Sequence, residues 1–262
     1  MNLDLSGRNA IVCGSSQGIG RAIADELATL GATITVMARN PERLESVVRE
    51  LSTDAGQSHK MIVADFAEPA QVKIAIEQHV SDGNSADILI NNTGGPPGGL
   101  AVDANVNEFM AAFQSHLICN HILSQALVPG MKDSGYGRII NIISTSVKQP
   151  IKGLGVSNTI RGAVANWAKT MANELGQHGI TVNNVLPGMT RTARLDSIIR
   201  SRAEKFGKSI EEVTQDMENE IPASRIAQAT EIAAAVAFLA TPAAGYINGI
   251  NLPVDGGRTG CL

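Results

Sequence analysis

The sequence has few cysteines and few aromatic residues, and it lacks long runs of apolar or basic residues. Its three cysteines, Cys13, Cys119 and Cys261, are widely spaced and show no pairing typical of metal ligands, so reduced thiols without a metal are expected. No apolar run approaches the ~18 residues that span a bilayer, and no Lys/Arg cluster would attract nucleic acid or anionic lipid. These absences predict a soluble cytoplasmic protein with no metal, nucleic-acid or membrane partner.

The composition is that of a protein with one large core. Of the 262 residues, 44% are hydrophobic and 18% are charged, and the formal net charge is -4. Because α/β domains of this length are often undivided, we expect one domain over residues 1–262. Apolar runs of strand length alternate with segments of helical period, which predicts a Rossmann-type, doubly wound α/β fold with a mostly parallel seven-stranded sheet. The predicted strands are residues 9–13, 33–38, 61–64, 88–90, 138–143, 181–186 and 250–254.

A glycine-rich turn follows the first predicted strand directly and leads into a helix. It reads Gly14-Ser15-Ser16-Gln17-Gly18-Ile19-Gly20. Glycines allow the backbone to turn tightly and to approach a diphosphate, whose charge is stabilised by the free N–H groups and the dipole of the helix. A glycine triplet alone is a weak signal, but its position between the first strand and the first helix predicts a dinucleotide-binding site.

The residue at the end of the second predicted strand indicates which nicotinamide cofactor is preferred. NAD-binding proteins commonly place a carboxylate there for the ribose 2′-hydroxyl, whereas this sequence has Arg39. A guanidinium fits a 2′-phosphate through charge-assisted hydrogen bonds. NADP(H) is therefore favoured, and NAD(H) remains possible because Arg39 could instead stack on the adenine or face solvent.

Four further motifs follow the glycine turn in a consistent order. They are Asn91-Asn92-Thr93-Gly94, Asn141-Ile142-Ile143-Ser144, Pro187-Gly188 through Thr192, and Val254-Asp255-Gly256-Gly257. With Cys13-Gly14 through Gly20, these resemble the motifs of the short-chain dehydrogenase/reductase family over essentially the whole chain, most closely its 3-oxoacyl-acyl-carrier-protein reductases.

The resemblance implies specific roles around the cofactor. Asp65 and Phe66 would border the adenine, and Asn92, Thr93 and Gly94 would line the ribose. The nicotinamide amide would be held by Thr190 and Thr192, which follow Pro187 and Gly188. Each of these could instead be ordinary loop chemistry.

The catalytic pattern of the family is incomplete in this sequence. The family uses a serine, a tyrosine thirteen residues later and a lysine four residues after that; here the positions hold Ser144, Ser157 and Arg161, and the family's helix-borne asparagine falls on His116. A phenol with pKa ~10 can protonate a developing alkoxide when a cation lies nearby, but a serine hydroxyl is far less acidic and shorter. Arg161 could still hold the nicotinamide ribose, although a guanidinium cannot relay protons.

Two other residues are candidates for the missing proton donor. Lys148 lies four residues after Ser144, on a loop that borders the substrate in the family, and a desolvated lysine can act as an acid or base. His116 has an ordinary pKa of ~6.5 and is the second candidate. Each could instead be structural, Lys148 as a solvated loop residue and His116 in helix packing. The two tyrosines, Tyr136 and Tyr246, lie outside the expected pocket.

The leading hypothesis is an NADP(H)-dependent oxidoreductase that acts on a carbonyl or secondary alcohol of a small-molecule substrate, with Ser144 polarising the substrate oxygen. The alternatives are a catalytically degenerate nucleotide-binding sensor or scaffold, which the loss of tyrosine and lysine favours, and a changed chemistry such as dehydration or isomerisation. Residues 191–221 are rich in charge and helix formers and would form a mobile lid over the substrate. The resemblance also implies a homotetramer or homodimer.

Overall fold

Seven parallel strands form the centre of the protein. The computed structural model describes residues 1–261, and the sheet order is β3-β2-β1-β4-β5-β6-β7 with every pairing parallel. The predicted seven-stranded fold is confirmed, and each predicted strand end lies within one residue of the observed end. The strands are β1 (Asn9–Cys13), β2 (Thr33–Ala38), β3 (Lys60–Val63), β4 (Ile88–Asn91), β5 (Gly137–Ile142), β6 (Ile180–Pro187) and β7 (Asn251–Val254).

Nine α-helices occur within the described residues, and most of them cover the two faces of the sheet. They are α1 (Gly18–Thr29), α2 (Pro41–Glu50), α3 (Pro69–Ser81), α4 (Val106–Phe113), α5 (Cys119–Ser134), α6 (Gly155–Leu175), α7 (Ala193–Phe206), α8 (Ile210–Asn219) and α9 (Ala229–Ala240). Helices α1, α2 and α9 pack on one face and α3, α5 and α6 on the other. Alternate strand residues are buried on opposite faces, because side chains in a strand alternate in direction.

The strand order reverses between β1 and β4, which lie side by side although β2 and β3 separate them in sequence. The connections after these two strands leave the sheet in opposite directions, and a crevice opens at their carboxyl ends. Ligands of open α/β sheets bind in this crevice. The glycine turn after β1 and the loop after β4 therefore meet at the expected binding edge.

Helices α7 and α8 form a unit beside this edge with an apolar cluster of its own. The cluster contains Leu195, Ile199, Val213 and Met217 and is separate from the two clusters on the sheet faces. Backbone hydrogen bonds between residues 189–191 and Ala227 join the two ends of the segment that contains α7 and α8. The predicted lid segment, residues 191–221, corresponds to this unit.

No helix within residues 1–261 is both long enough and apolar enough to cross a membrane.

Candidate functional site

The glycine turn after β1 packs tightly against the end of β4. Gly14 has a φ of +59°, and a Cβ on it would lie 2.5 Å from the backbone oxygen of Asn92. The Asn92 side-chain amide donates to the backbone oxygens of Cys13 and Gly14 at 3.2 and 3.3 Å. Only glycine fits this approach without displacing its neighbour, and Asn92 fixes the shape of the turn.

The N-terminus of α1 is open, like those of α3 and α6 and unlike those of four other helices. Helices α2, α4, α7 and α8 are capped by the side chains of Asn40, Asn105, Thr192 and Ser209. Helix α1 has no such side-chain bond at Gln17 and no acidic residue in its first turn, so its N–H groups remain available to an anion. The nearest atom to a Cβ on Gly18 would be Cγ2 of Thr192, at 3.4 Å. This open end fits a diphosphate group.

The remaining residues of the glycine turn fall into two groups. Ser15 is fully buried, and its hydroxyl accepts a hydrogen bond from the backbone N–H of Met37 at 3.0 Å, which ties the turn to β2. Ile19 packs against the apolar cluster on the face of the sheet that α1, α2 and α9 cover. Ser16 is half-buried and Gln17 is exposed, so these two line the outer side of the turn.

Two arginines lie where the adenosine end of a dinucleotide would extend from the turn. Arg39 follows β2, its side chain is 78% exposed, and its Nη1 lies 4.0 Å from a carboxylate oxygen of Asp65. Arg43, in the first turn of α2, donates to the side chain of Gln17 at 3.1 Å. Arg43 was not among the residues predicted from the sequence, although its position in the turn after the Asn40 cap was a usable signal. Phe66 is half-buried beside Asp65.

Ser144 stands at the carboxyl end of β5 and begins a short 3₁₀ turn, Thr145–Val147. Its hydroxyl oxygen accepts a hydrogen bond from the backbone N–H of Ser146 at 3.0 Å. This contact uses an acceptor lone pair and leaves the hydroxyl proton free to point outward. Ser144 can therefore donate to a substrate oxygen.

Ser157 and Arg161 lie one helical turn apart on the buried face of α6, and each is 8% exposed. Nη1 of Arg161 donates to the backbone oxygen of Ile142 at 3.1 Å, at the end of β5 and two residues before Ser144. Burial, and secondarily the charge of Arg194, lowers the pKa of Arg161 to about 10. The guanidinium therefore remains charged at neutral pH.

His116 lies in a π-helical segment, Gln114–Ile118, that joins α4 to α5. It is 2% exposed, and its Nδ1 lies 2.6 Å from the hydroxyl of Thr93. Burial, together with the charges of Arg161 and Arg194, lowers the pKa of His116 to about 2. The ring is therefore neutral at neutral pH and has no imidazolium proton to give.

Lys148 follows the short turn after Ser144 and is half-buried. Its segment is in contact with the last described residues of the chain, because Cys261 donates through its thiol to the backbone oxygen of Lys148 at 3.6 Å. The backbone N–H of Gly260 also donates to the side chain of Gln149 at 3.3 Å. The sequence analysis missed this packing of the tail on the Lys148 loop.

The two tyrosines lie away from the binding edge, as the sequence suggested. Tyr136 immediately precedes β5, at the amino end of the sheet, and its hydroxyl donates to the backbone oxygen of Ala240 at 2.7 Å. The guanidinium groups of Arg8 and Arg138 stack on its ring at 3.8 and 4.1 Å. Tyr246 is fully exposed. Neither tyrosine can reach the end of β5 where Ser144 stands.

The loop after β6 lies beside the glycine turn. Thr192 of this loop contacts the turn, because a Cβ on Gly18 would lie 3.4 Å from its Cγ2. Pro187 ends β6, and a Cβ on Gly188 would lie 2.7 Å from Cα of Asp255, so the loops after β6 and β7 also touch. The hydroxyl of Thr190 donates to the backbone oxygen of Gly188 at 3.1 Å, and that of Thr192 donates to Thr190 at 3.3 Å. A Cβ on Gly94, in the loop after β4, would meet no atom within 4 Å, so this residue borders open space.

A ladder of asparagine side chains crosses four strands just below the site. Asn91 donates to Asn141 at 2.8 Å, Asn141 donates to Asn184 at 2.9 Å, and Asn184 donates to Asn251 at 2.8 Å. Asn91, Asn141 and Asn184 are at most 2% exposed. The ladder links the carboxyl halves of β4 to β7, and the sequence analysis missed it.

Comparisons with known proteins agree with this geometry. A family model described as Enoyl-(Acyl carrier protein) reductase matches residues 14–259. The 3-oxoacyl-acyl-carrier-protein reductase FabG of Haemophilus influenzae is 33% identical over 253 residues, which are 97% of this chain and 98% of that protein. The NADPH-dependent reductase BacG of Bacillus subtilis is 30% identical and covers 97% and 98% of the two chains.

Solved structures share the fold along the whole chain. The L-sorbose reductase of Gluconobacter frateurii, solved with NADPH and L-sorbose, superposes with a TM-score of 0.94 at 31% identity, over 100% of both chains. The matched family model, the curated relatives and this structure agree with the five motifs and with the fold. The chain therefore belongs to the short-chain dehydrogenase/reductase family of NAD(P)-dependent oxidoreductases and is similar to its 3-oxoacyl-acyl-carrier-protein reductases.

Proposed function

We propose that the protein is an NADP(H)-dependent reductase or dehydrogenase that interconverts a carbonyl and a secondary alcohol, with a proton donor different from the family's tyrosine. The observation that carries the proposal is the open N-terminus of α1 within the glycine turn, at the same sheet edge as Ser144. When bound, the nicotinamide cofactor supplies or accepts the hydride. The residues of this chain bind it, orient the substrate and handle the proton.

The phosphate groups would be held at two places. The free N–H groups of residues 18–20 would bind the diphosphate, and Arg39, with Arg43 behind it, would bind the 2′-phosphate through charge-assisted hydrogen bonds. Asp65 lies 4.0 Å from Arg39 and would orient that guanidinium. The relatives named as NADPH-dependent reductases support this preference over NAD(H).

Ser144 and Arg161 would act at the reacting end. The outward hydroxyl of Ser144 would donate a hydrogen bond to the substrate oxygen and stabilise negative charge there. Arg161, fixed by Ile142, would bind the hydroxyls of the nicotinamide ribose. Ser157 lies one turn from Arg161, and its short side chain leaves room where the family has a phenol.

Lys148 is the proton donor that we propose. The neutral state of His116 weakens the other candidate, because a neutral imidazole is a very poor acid. The side chain of Lys148 would act as the general acid that gives a proton to the alkoxide. The alternative is a nucleotide-binding sensor without turnover, which the buried serine at position 157 favours.

The test is turnover of NADPH with a broad panel of β-keto thioesters, ketones and quinones. We expect oxidation of NADPH with at least one of them. Lys148→Met should lower kcat roughly 100-fold or more. The control Lys152→Met should change kcat little, because the side chain of Lys152 is exposed on the same loop. Tight NADPH binding without any turnover would instead support the sensor. Turnover that is equal in the wild type and Lys148→Met would remove Lys148 from the mechanism.

We also infer that α7 and α8 close over the substrate and that the single domain assembles into a homotetramer or homodimer. Support for assembly comes from the exposed apolar side chains of Val102, Val106 and Met110 on and before α4, which are 88%, 75% and 51% exposed. Light scattering on the purified protein tests this, and a monomer at micromolar concentration would contradict it.

A further inference from the structure

Three basic side chains converge on the loop after β4, and we call them the basic cluster: Arg161, Arg194 and His116. Arg194, in the first turn of α7, donates from Nη1 to the backbone oxygen of Gly95 at 2.8 Å and from Nη2 to that of Pro96 at 3.0 Å. His116 contacts Thr93 on the same loop. Arg161 bonds to the end of β5, the strand next to β4. The charges of Arg161 and Arg194 lower the pKa of His116, and that of Arg194 lowers the pKa of Arg161, so the three side chains lie near one another at the binding edge.

No carboxylate of the described residues balances this charge. Of the nine ion pairs found within residues 1–261, none includes Arg161 or Arg194. The acceptors of both guanidinium groups are backbone carbonyl oxygens, which satisfy hydrogen bonds but not charge. Arg161 is only 8% exposed, and a buried charge without a counter-charge is unfavourable. An anionic ligand would supply the missing charge.

His116 provides a second, independent indication that a ligand binds at the basic cluster. Its Nε2 is buried and has no hydrogen-bond partner within the described residues. In the tautomer that carries the ring proton on Nε2, Nδ1 accepts from the Thr93 hydroxyl and Nε2 is an unused donor. Buried donors are rarely left unsatisfied in native proteins. A ligand oxygen at the basic cluster would satisfy it.

We propose that the substrate carries a carboxylate, which binds Arg194 at the basic cluster and lies near the charge of Arg161, while Arg161 keeps its bond to the nicotinamide ribose and Ser144 holds the reacting oxygen. The proposal rests on the proposed hydride transfer and adds the substrate class. The bonds to Gly95 and Pro96 use two of the five N–H donors of Arg194 and fix its guanidinium in place, so the remaining donors can bind a carboxylate. Repulsion between Arg194 and Arg161 also lowers the pKa of Arg161, and a bound anion would relieve that repulsion.

The diphosphate of the cofactor is the competing source of negative charge. Thr192 lies close to Gly18 in the glycine turn, and Arg194 is only two residues further along the chain. However, the guanidinium of Arg194 lies on Gly95 and Pro96, residues that follow the ribose-lining segment, and not on the first turn of α1. The substrate carboxylate is therefore the ligand that fits this position, and the cofactor phosphate becomes an outcome of the test.

Calorimetry on NADP⁺-saturated protein tests the proposal without requiring turnover. The probes are pyruvate, acetoacetate and levulinate, each compared with its neutral methyl ester. We expect at least one acid to bind at least about tenfold more tightly than its ester, as a charge-assisted bidentate contact implies. In Arg194→Gln this preference should fall to about threefold or less, with NADP⁺ affinity unchanged.

Arg191→Gln is the matched control, because Arg191 lies on the same segment but pairs with Glu218 at 3.8 Å. It should keep the full preference for the acid. The proposal is overturned if no acid binds better than its ester, or if Arg194→Gln keeps the preference. It is also overturned if Arg194→Gln weakens NADP⁺ binding about tenfold or more, because the guanidinium would then serve the cofactor phosphate. A failure of the proposed function would look different, because no compound of the substrate panel would then be turned over with NADPH, whether or not an acid binds better than its ester.

Discussion

Replacement of Gly14 by alanine tests two reasons for a glycine in the binding turn, its positive φ and its close contact with the backbone of Asn92. Gly14 and Gly56 both have positive φ, +59° and +77°, but nothing lies within 4 Å of a Cβ on Gly56. Alanine in this left-handed region costs roughly 1–2 kcal/mol at either position. At Gly14 the new Cβ would also lie 2.5 Å from the oxygen of Asn92, and such overpacking adds about 1–3 kcal/mol.

We therefore expect Gly14→Ala to lower the free energy of unfolding by about 2–5 kcal/mol, against about 1–2 kcal/mol for Gly56→Ala. Urea denaturation of the two variants measures the difference. Because relief of the contact must move the end of β1 or β4, Gly14→Ala should also weaken NADPH binding in calorimetry, whereas Gly56→Ala should not. Equal losses of stability, with unchanged NADPH affinity in both variants, would refute the steric reasoning.

Three further predictions concern buried polar groups. As the pH falls from about 6.5 towards 2, only the unfolded state takes up a proton at His116. The free energy of unfolding of the wild type should therefore fall by up to about 1.4 kcal/mol per pH unit more than that of His116→Gln. Parallel pH profiles of the two proteins would contradict this. Asn141→Ala leaves partners on Asn91 and Asn184 unsatisfied and should cost about 2–6 kcal/mol in urea denaturation. Tyr136→Phe should cost about 1–2 kcal/mol with unchanged NADPH affinity.

The sequence predicted those features that depend on neighbouring residues. The glycine turn and the strand that precedes it are adjacent in the chain, so their order alone indicates a diphosphate site. Strand positions followed from apolar runs in the same way. The parallel arrangement followed because helical segments separate the strands.

Features that depend on register between distant strands were not predictable in this way. The asparagine ladder needs Asn91, Asn141 and Asn184 to lie side by side, and they are separated by more than 40 residues along the chain. The neutral state of His116 likewise depends on burial and on Arg161 from another helix. The meeting of Arg194 with the loop after β4 joins residues 98 and 99 positions apart.

The separate apolar cluster of α7 and α8 has a consequence for how this protein could change. Because that unit keeps its own apolar core, we expect its core residues to be replaceable with little effect on the sheet, provided that the bonds of Arg194 to Gly95 and Pro96 are kept. On the proposal that α7 and α8 close over the substrate, we expect substrate preference and nucleotide affinity to change independently. Transplanting residues 193–219 from a relative should alter which compound is accepted and leave the nucleotide affinity as it was.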